Sequence, residues 1–145
     1  MIIELLYQDK FKFNFEKNLF NKYNERLEKI SKQSIIHFLQ KRISEKKMFE
    51  KINKKNSNTF IIILEETGKN ISTNQFKDLI FNSSAKKIVF LIGGTSGFNK
   101  TFIEKADLVI SLSKMTLTHS FAAIILLEQI YRSATIKLGH PYHRK

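Results

Sequence analysis

The chain has 145 residues, of which 42% are hydrophobic, so residues 1–145 fit one domain, and the absence of cysteine excludes disulfides and thiolate chemistry. Neither a signal peptide nor an apolar stretch of the roughly 18 residues that span a membrane is present, and we therefore expect a cytoplasmic protein. The formal net charge of +12 favours a polyanionic partner such as RNA, although a solvated lysine-rich surface has the same composition.

The first half of the chain alternates between short apolar runs and amphipathic stretches. Residues 2–7 are predicted to form a strand. Residues 13–30 are predicted to form a helix, because apolar side chains recur there at helical spacing with charges between them. A second strand is predicted over residues 34–39. Residues 45–55 form either a basic helix with one apolar face or a mobile segment.

The second half of the chain has a clearer alternation of strands and helices. Strands are predicted at residues 59–64, 87–92 and 108–112, a loop at 65–69, and helices at 72–82, 99–106 and 119–137. This order predicts an α/β fold with a mainly parallel sheet and helices on both faces. Such sheets bind ligands at the carboxyl ends of their strands, which here are the loops after Leu64, Ile92 and Leu112.

A glycine-rich turn at residues 93–97 lies between a predicted strand and a predicted helix. An NTP-binding phosphate loop would need its second glycine at position 98, where Phe98 stands, and Lys100 is then out of register. The dinucleotide-binding glycine pattern fails as well. An NTP-binding regulatory protein is therefore disfavoured. A plain tight turn and a turn that lets a ligand approach the backbone both stay open.

Two further segments bear on ligand binding and assembly. Small polar and apolar residues alternate in the loop at 112–117, which suits the binding of a flat apolar ring. The helix at 121–136 is apolar on nearly every side and is predicted to be buried all round. Its apolar surface could be buried in a homodimer interface or by packing within one chain. Glu128 and Arg132 have the spacing of an ion pair on a helix surface.

The carboxy-terminal tail concentrates imidazole, phenol and cationic groups in His140, Tyr142, His143 and Arg144. This combination suits RNA, since cations bind phosphate, tyrosine stacks on bases and histidine transfers protons. A disordered polar terminus is the alternative. We expect no metal site, because the two histidines lack carboxylate or cysteine partners.

Taken in order, these segments resemble the RlmH family of 23S ribosomal RNA methyltransferases. The shared motifs are an IGG-x-x-G turn at residues 92–97, a serine-containing loop ending in a Thr-hydrophobic pair at 112–117, an E-Q-x-Y-R-A-like run at 128–134, and a Tyr-His-basic ending at 142–144. The resemblance implies an S-adenosylmethionine-dependent enzyme that methylates N3 of a pseudouridine in 23S rRNA. Recognition of the assembled ribosome is expected, because so small a protein has little surface for reading RNA sequence.

The resemblance also implies a single-domain SPOUT-type fold with a trefoil knot in the carboxy-terminal half. The cofactor is expected within residues 59–145, held largely by backbone groups of Leu64, Gly93, Leu112, Ser113, Lys114, Met115, Thr116 and Leu117. We predict a homodimer in which Tyr142, His143 and Arg144 close over the partner subunit's cofactor pocket. Tyr142 would position the base, Arg144 would hold phosphate or the developing anion, and His143 could relay the proton.

The sequence departs from the family pattern most clearly in two places, and its first half is also somewhat short. Thr118 stands where the family usually has a proline before His119, and Gln8 and Asp9 replace a Val-Gly-Lys continuation of the first strand. These changes affect the expected RNA contacts of the amino-terminal half more than the cofactor loop. A non-catalytic RNA-binding or ribosome-assembly module of the same fold is the remaining alternative, and it predicts no binding of S-adenosylmethionine.

Overall fold

The computed structural model describes residues 1–144, which form one five-stranded sheet with helices on both faces. The strands are β1 (Ile2–Tyr7), β2 (His37–Arg42), β3 (Thr59–Asn70), β4 (Lys87–Ile92) and β5 (Leu108–Ser111). Their spatial order is β2-β1-β4-β3-β5, and every neighbouring pair is parallel. The predicted α/β class, with its mainly parallel sheet, is confirmed.

The helices divide between the two faces of the sheet. They are α1 (Asn14–Ser31), α2 (Glu45–Asn53), α3 (Thr73–Phe81), α4 (Lys100–Glu104) and α5 (His119–Leu138). The larger core packs α1, α3 and α5 on one face, and the smaller core packs α2 and α4 on the other. Alternation along β4 explains both cores, because Ile88 and Phe90 point to the first while Val89 and Leu91 point to the second.

Strands β1 and β4 have the predicted bounds, whereas β2 begins three residues later than predicted. The reason is pairing with β1. The register starts at Ile2 with His37, and the His37 amide donates to the Met1 carbonyl at 2.8 Å. Residues before His37 lie opposite positions that precede the first residue of β1, so they have no strand to pair with. The segment at 45–55 is a helix, α2, with Met48 and Ile52 buried.

The prediction of a loop at residues 65–69 was wrong, because β3 continues to Asn70. Leu64 and Lys69 both align with Ile110 of β5, so the residues between them form an irregularity in the ladder. Gly68 permits this, since a Cβ there would lie 2.8 Å from the Ile110 carbonyl carbon. Residues 65–70 were not predicted as strand because they are mostly polar, and they are polar because this extension projects past the buried part of the sheet.

Helix α5 packs against α1 and α3 of its own chain, and much of its apolar surface is covered there. Leu126, Leu127 and Ile130 are completely buried, while Phe121 at the start of the helix remains 44% exposed. Packing within one chain thus accounts for the buried side of α5. None of the helices within residues 1–144 is long and apolar enough to cross a membrane.

Candidate active site

A cleft of about 630 Å³ opens at the carboxyl ends of β4 and β5 and beside residues 64–66 of β3. It is lined by the extension of β3, the glycine-rich turn after β4, the loop after β5 and the first turn of α5, namely residues 64–66, 92–97, 112–113, 115–119 and 122. The parallel order β4-β3-β5 puts these segments side by side, although they are far apart in sequence. The segments after Leu64, Ile92 and Leu112, which the sequence predicted to converge, do lie together, although Leu64 is an interior residue of β3 and not its end.

The structure places most of the predicted cofactor-binding residues on this cleft. Those that line it are Leu64, Gly93, Leu112, Ser113, Met115, Thr116 and Leu117. Lys114 is exposed and is not among the lining residues. The role of all eight predicted residues in binding a cofactor stays a prediction.

The cleft also contains acidic and basic groups that the sequence reasoning did not assign to it, including Glu65, Glu66 and His119. The Thr116 hydroxyl donates to Glu66 Oε2 at 2.6 Å, which joins the β3 extension to the loop after β5. A signal was present, because the two glutamates directly follow a buried strand. The sequence placed the segment after Leu64 at the ligand site but gave no role to its two carboxylates. The cleft therefore has carboxylates and an imidazole from its own chain.

The glycine-rich turn is held by two side chains from the end of β1. Gln8 Oε1 accepts from the Gly94 amide at 2.9 Å, and Asp9 Oδ2 accepts from the amide and hydroxyl of Thr95 at 3.1 and 3.2 Å. A Cβ on Gly94 would lie 2.8 Å from Gln8 Oε1. A larger residue at position 94 would therefore push the Gln8 and Asp9 side chains away from the turn. Gln8 and Asp9, the residues that depart from the family pattern, thus shape one wall of the cleft.

The start of α5 closes another side of the cleft. Thr118 is the N-cap, and its side chain accepts a hydrogen bond from the Phe121 amide at 3.2 Å. The threonine that replaces the family's proline therefore stabilises the helix start by capping. His119 follows, with its Nδ1 at 3.6 Å from Asp9 Oδ2. Asp9 consequently faces both the glycine-rich turn and α5.

The carboxy-terminal tail folds back onto α5 and α1 instead of extending into solvent. The Tyr142 hydroxyl donates to Glu128 Oε1 at 3.0 Å and lies 3.4 Å from the Tyr23 hydroxyl. Its ring packs edge-on against Tyr131 and lies under the Arg132 guanidinium, 4.8 Å away in both cases. Burial, together with the hydrogen bonds to Tyr23 and Glu128, raises the pKa of Tyr142 well above its usual value.

His143 and Arg144, the next residues of the tail, differ in their contacts: His143 meets Arg132 of α5, whereas Arg144 meets solvent. The predicted ion pair between Glu128 and Arg132 is present, with Arg132 Nε donating to Glu128 Oε1 at 2.9 Å. Arg132 Nη1 lies 3.1 Å from His143 Nδ1. The hydrogen bond to Glu128 raises the pKa of Arg132, so its guanidinium stays charged. Arg144 is exposed, and Lys145, the last residue of the predicted tail, lies outside the described residues.

Within one chain the tail and the cleft contact different parts of α5. The tail contacts α5 at Glu128 and Arg132, whereas the cleft touches it at His119 and Ala122. At about 1.5 Å per residue, the two sites are separated by roughly 9–20 Å along the helix axis. None of the predicted tail residues lines the cleft of its own chain. Within residues 1–144, no three His, Asp or Glu side chains lie close enough to hold a metal ion.

Comparison with known sequences gives relatives over the whole chain. A family model described as a predicted SPOUT methyltransferase matches residues 1–143. Ribosomal RNA large subunit methyltransferase H of Clostridium botulinum (strain Kyoto / Type A2) is 33% identical over 159 positions, covering 99% of this chain and 100% of the relative. The protein of the same name from Prochlorococcus marinus (strain MIT 9215) is 43% identical over 102 positions, covering 70% of this chain and 74% of the relative.

Two solved structures share the architecture. A ribosomal RNA small subunit methyltransferase E from Neisseria gonorrhoeae, bound to S-adenosyl methionine, aligns with a TM-score of 0.57 and 13% identity over 95% of this chain and 66% of its own. The SpoU methyltransferase AviRb from Streptomyces viridochromogenes aligns with a TM-score of 0.53 and 12% identity over 96% of this chain and 61% of its own. These likenesses concern the fold. With the family match over residues 1–143 and the full-length relative, the chain belongs to the SPOUT methyltransferases, in the family of ribosomal RNA large subunit methyltransferase H.

Proposed function

We propose that this protein transfers a methyl group from S-adenosylmethionine to N3 of a pseudouridine in 23S ribosomal RNA. The observation that carries the proposal is the cleft formed by residues 64–66 of β3 and the segments after β4 and β5, in a chain that belongs to a methyltransferase family. The relatives are named for the large ribosomal subunit, which supports ribosomal RNA as the substrate.

The residues of the cleft fit this cofactor in size, polarity and charge. A volume of about 630 Å³ lies within the roughly 300–1,000 Å³ of small-molecule sites. Leu64, Leu112 and Leu117 offer apolar walls for the adenine ring. Glu65 and Glu66 give the cleft negative charge, which complements a cofactor carrying a sulfonium and an ammonium group. We propose that these groups, with the glycine-rich turn, hold the cofactor.

Bound there, S-adenosylmethionine supplies an activated methyl group: the lone pair of the acceptor nitrogen forms the N–C bond, the C–S bond breaks with its electrons on sulfur, and the nitrogen loses its proton. The protein must align the acceptor nitrogen with the methyl carbon and stabilise the charge left on the base. We assign the first task to the walls of the cleft and the second to donors and cations of the tail, Tyr142, His143 and Arg144.

We propose that the protein acts as a homodimer of single-domain subunits, in which the tail of one subunit completes the cleft of the other. The separation of roughly 9–20 Å between tail and cleft along α5 supports this arrangement. Phe121, which is 44% exposed where α5 borders the cleft, offers apolar surface for a second copy. The carboxy-terminal half, residues 59–145, is proposed to be threaded as a trefoil knot.

The net charge of +12 supports binding to RNA phosphate. We propose the assembled ribosome in the cytoplasm as the substrate, since a chain of 145 residues offers little surface for reading RNA sequence. Recognition would then depend on the shape and charge of the folded RNA.

The proposal is tested by incubating the protein with S-adenosylmethionine labelled on its methyl group and with ribosomes from cells that lack the gene. Label is expected in 23S rRNA at a pseudouridine, and far less label with a chain ending at Gly139. Calorimetry with S-adenosylmethionine accompanies the assay. No heat of binding and no label would identify a non-catalytic module. Full activity of the truncated chain would remove the tail from the mechanism.

A further inference from the structure

The contact between Arg132 and His143 has a defined direction. Arg132 Nη1 lies 3.1 Å from His143 Nδ1, within hydrogen-bond distance. A guanidinium has only N–H donors, so Nδ1 must be the acceptor and must carry no proton. The proton of the neutral imidazole then lies on Nε2. A doubly protonated ring would have no lone pair for Arg132 and would lose the contact.

The position of Arg132 is itself set by its neighbours. Glu128 Oε1 accepts from Arg132 Nε at 2.9 Å and from the Tyr142 hydroxyl at 3.0 Å. The ring of Tyr142 covers the guanidinium at 4.8 Å. Arg132 is thus held between a carboxylate on its own helix and an aromatic ring of the tail. Its remaining N–H groups have a restricted direction, and one of them meets His143.

We infer that Arg132, held by Glu128, fixes His143 as the Nε2–H tautomer, so that the tail presents a hydrogen-bond donor and not a general base. This inference deepens the proposed function, since it assigns the role of His143 in that reaction. Arg132 and Glu128 are positioning residues, because they act through His143. His143 would be the group that touches the substrate.

The reaction must then dispose of its proton without His143. The only basic nitrogen of the ring, Nδ1, is occupied by Arg132, so the N3 proton passes to solvent water. The charge left on the pseudouridine spreads over N3 and its two flanking carbonyl oxygens. The Nε2–H group donates to one of those oxygens and stabilises the anion, whose N3 lone pair forms the bond to the methyl carbon. The proton relay predicted for His143 is replaced by this donor role.

Two substitutions separate a donor from a base. His143→Gln keeps an amide N–H at the place of Nε2 and has no basic nitrogen, whereas His143→Ala removes both properties. The inference predicts that His143→Gln retains activity within about tenfold of the wild type, while His143→Ala loses more. Removal of a general base typically costs about 10²–10⁴-fold. A loss of that size in His143→Gln, equal to the loss in His143→Ala, overturns the inference, and so does an undiminished rate in His143→Ala.

The tautomer is measured independently of activity by nitrogen NMR on protein labelled at its four histidines. The His143 signals are identified as those missing from His143→Gln. We expect one fixed tautomer with the proton on Nε2 in the wild type, and averaged signals of a free ring in Arg132→Met and Glu128→Gln. Averaged signals in the wild type contradict the inference. If the tautomer is fixed but no RNA is methylated, the proposed function fails and the role of Arg132 stands.

Discussion

The Glu66 carboxylate accepts a hydrogen bond from the Thr116 hydroxyl at 2.6 Å, and this bond links the β3 extension to the loop after β5 in the lining of the cleft. The two residues are 50 positions apart in sequence. Each lies in a segment that lines the cleft, so their bond fixes the distance between two of its walls.

Breaking this link should weaken cofactor binding. Thr116→Val removes the hydroxyl at nearly constant volume, and a hydrogen bond of this kind contributes about 0.5–1.5 kcal/mol. We expect the dissociation constant for S-adenosylmethionine to rise about two- to tenfold by calorimetry. Lys114→Ala is the matched control, because Lys114 belongs to the same loop but does not line the cleft. Equal effects of both substitutions would contradict this assignment.

The charge of Glu65 should discriminate between cofactor and product. S-adenosylhomocysteine lacks the sulfonium charge, so Glu65→Gln should weaken binding of S-adenosylmethionine more than binding of the product. An interaction of about 1 kcal/mol, expected for charges about 4 Å apart in water, corresponds to roughly fivefold. Calorimetric titration of both ligands measures the ratio. An unchanged ratio would show that Glu65 does not sense the sulfonium.

Gly94→Ala should distort the glycine-rich turn. The new Cβ would lie 2.8 Å from Gln8 Oε1 and 2.9 Å from Asp9 Oδ1, and moving those side chains breaks their bonds to the Gly94 and Thr95 amides. We expect at least a tenfold loss of cofactor affinity, since two hydrogen bonds of about 1 kcal/mol are affected. Lys100→Ala, just beyond the turn and outside the lining of the cleft, should have little effect. Affinity retained in Gly94→Ala would indicate that the turn does not contact the cofactor.

Glu4 should make the stability of the protein depend on acid pH. Burial raises the pKa of Glu4, but hydrogen bonds from Lys87 and Lys51 lower it more, and the result is a pKa below its ordinary 4.5. Because the folded state binds the proton less tightly than the unfolded state, this contribution is fully present above pH 4.5 and is lost as pH falls through the folded-state pKa.

Urea unfolding measures that contribution. Glu4→Gln should lower the free energy of unfolding by about 1–2 kcal/mol at pH 7, because two charge-assisted hydrogen bonds are lost while both lysines remain partly solvated. The difference from the wild type should shrink as the pH is lowered below 4.5. Asp78→Asn is a suitable control, since the Asp78 side chain is 54% exposed where it pairs with Lys77, whereas the Glu4 side chain is 11% exposed. A difference that stays constant with pH would contradict the account of Glu4.

The sequence predicted the fold well where periodicity and burial agree. The apolar run of β4 and the capping box of Ser72 and Gln75 are local patterns, and both are present. The β3 extension was missed because its partner, Ile110, lies in a distant strand and its own side chains are polar. A pairing between segments so far apart in sequence cannot be predicted from the local sequence of either one.

The candidate site was predictable to a similar extent. Parallel strands place their carboxyl ends together, so the convergence of Leu64, Gly93 and Leu112 followed from the order of elements. The support of the glycine-rich turn by Gln8 and Asp9 did not follow, because it depends on β1 being the neighbour of β4. The docking of His143 on Arg132 likewise depends on where the chain turns after α5, and spacing alone indicated only the Glu128–Arg132 ion pair.

The central claim is that the cleft serves methylation of the large-subunit RNA. Mass spectrometric mapping of 23S rRNA from cells with the gene, without it, and carrying only the Gly94→Ala form tests this most directly. We predict that one methylated pseudouridine is present in the first, absent in the second and strongly reduced in the third. Identical modification of 23S rRNA in all three would contradict the account.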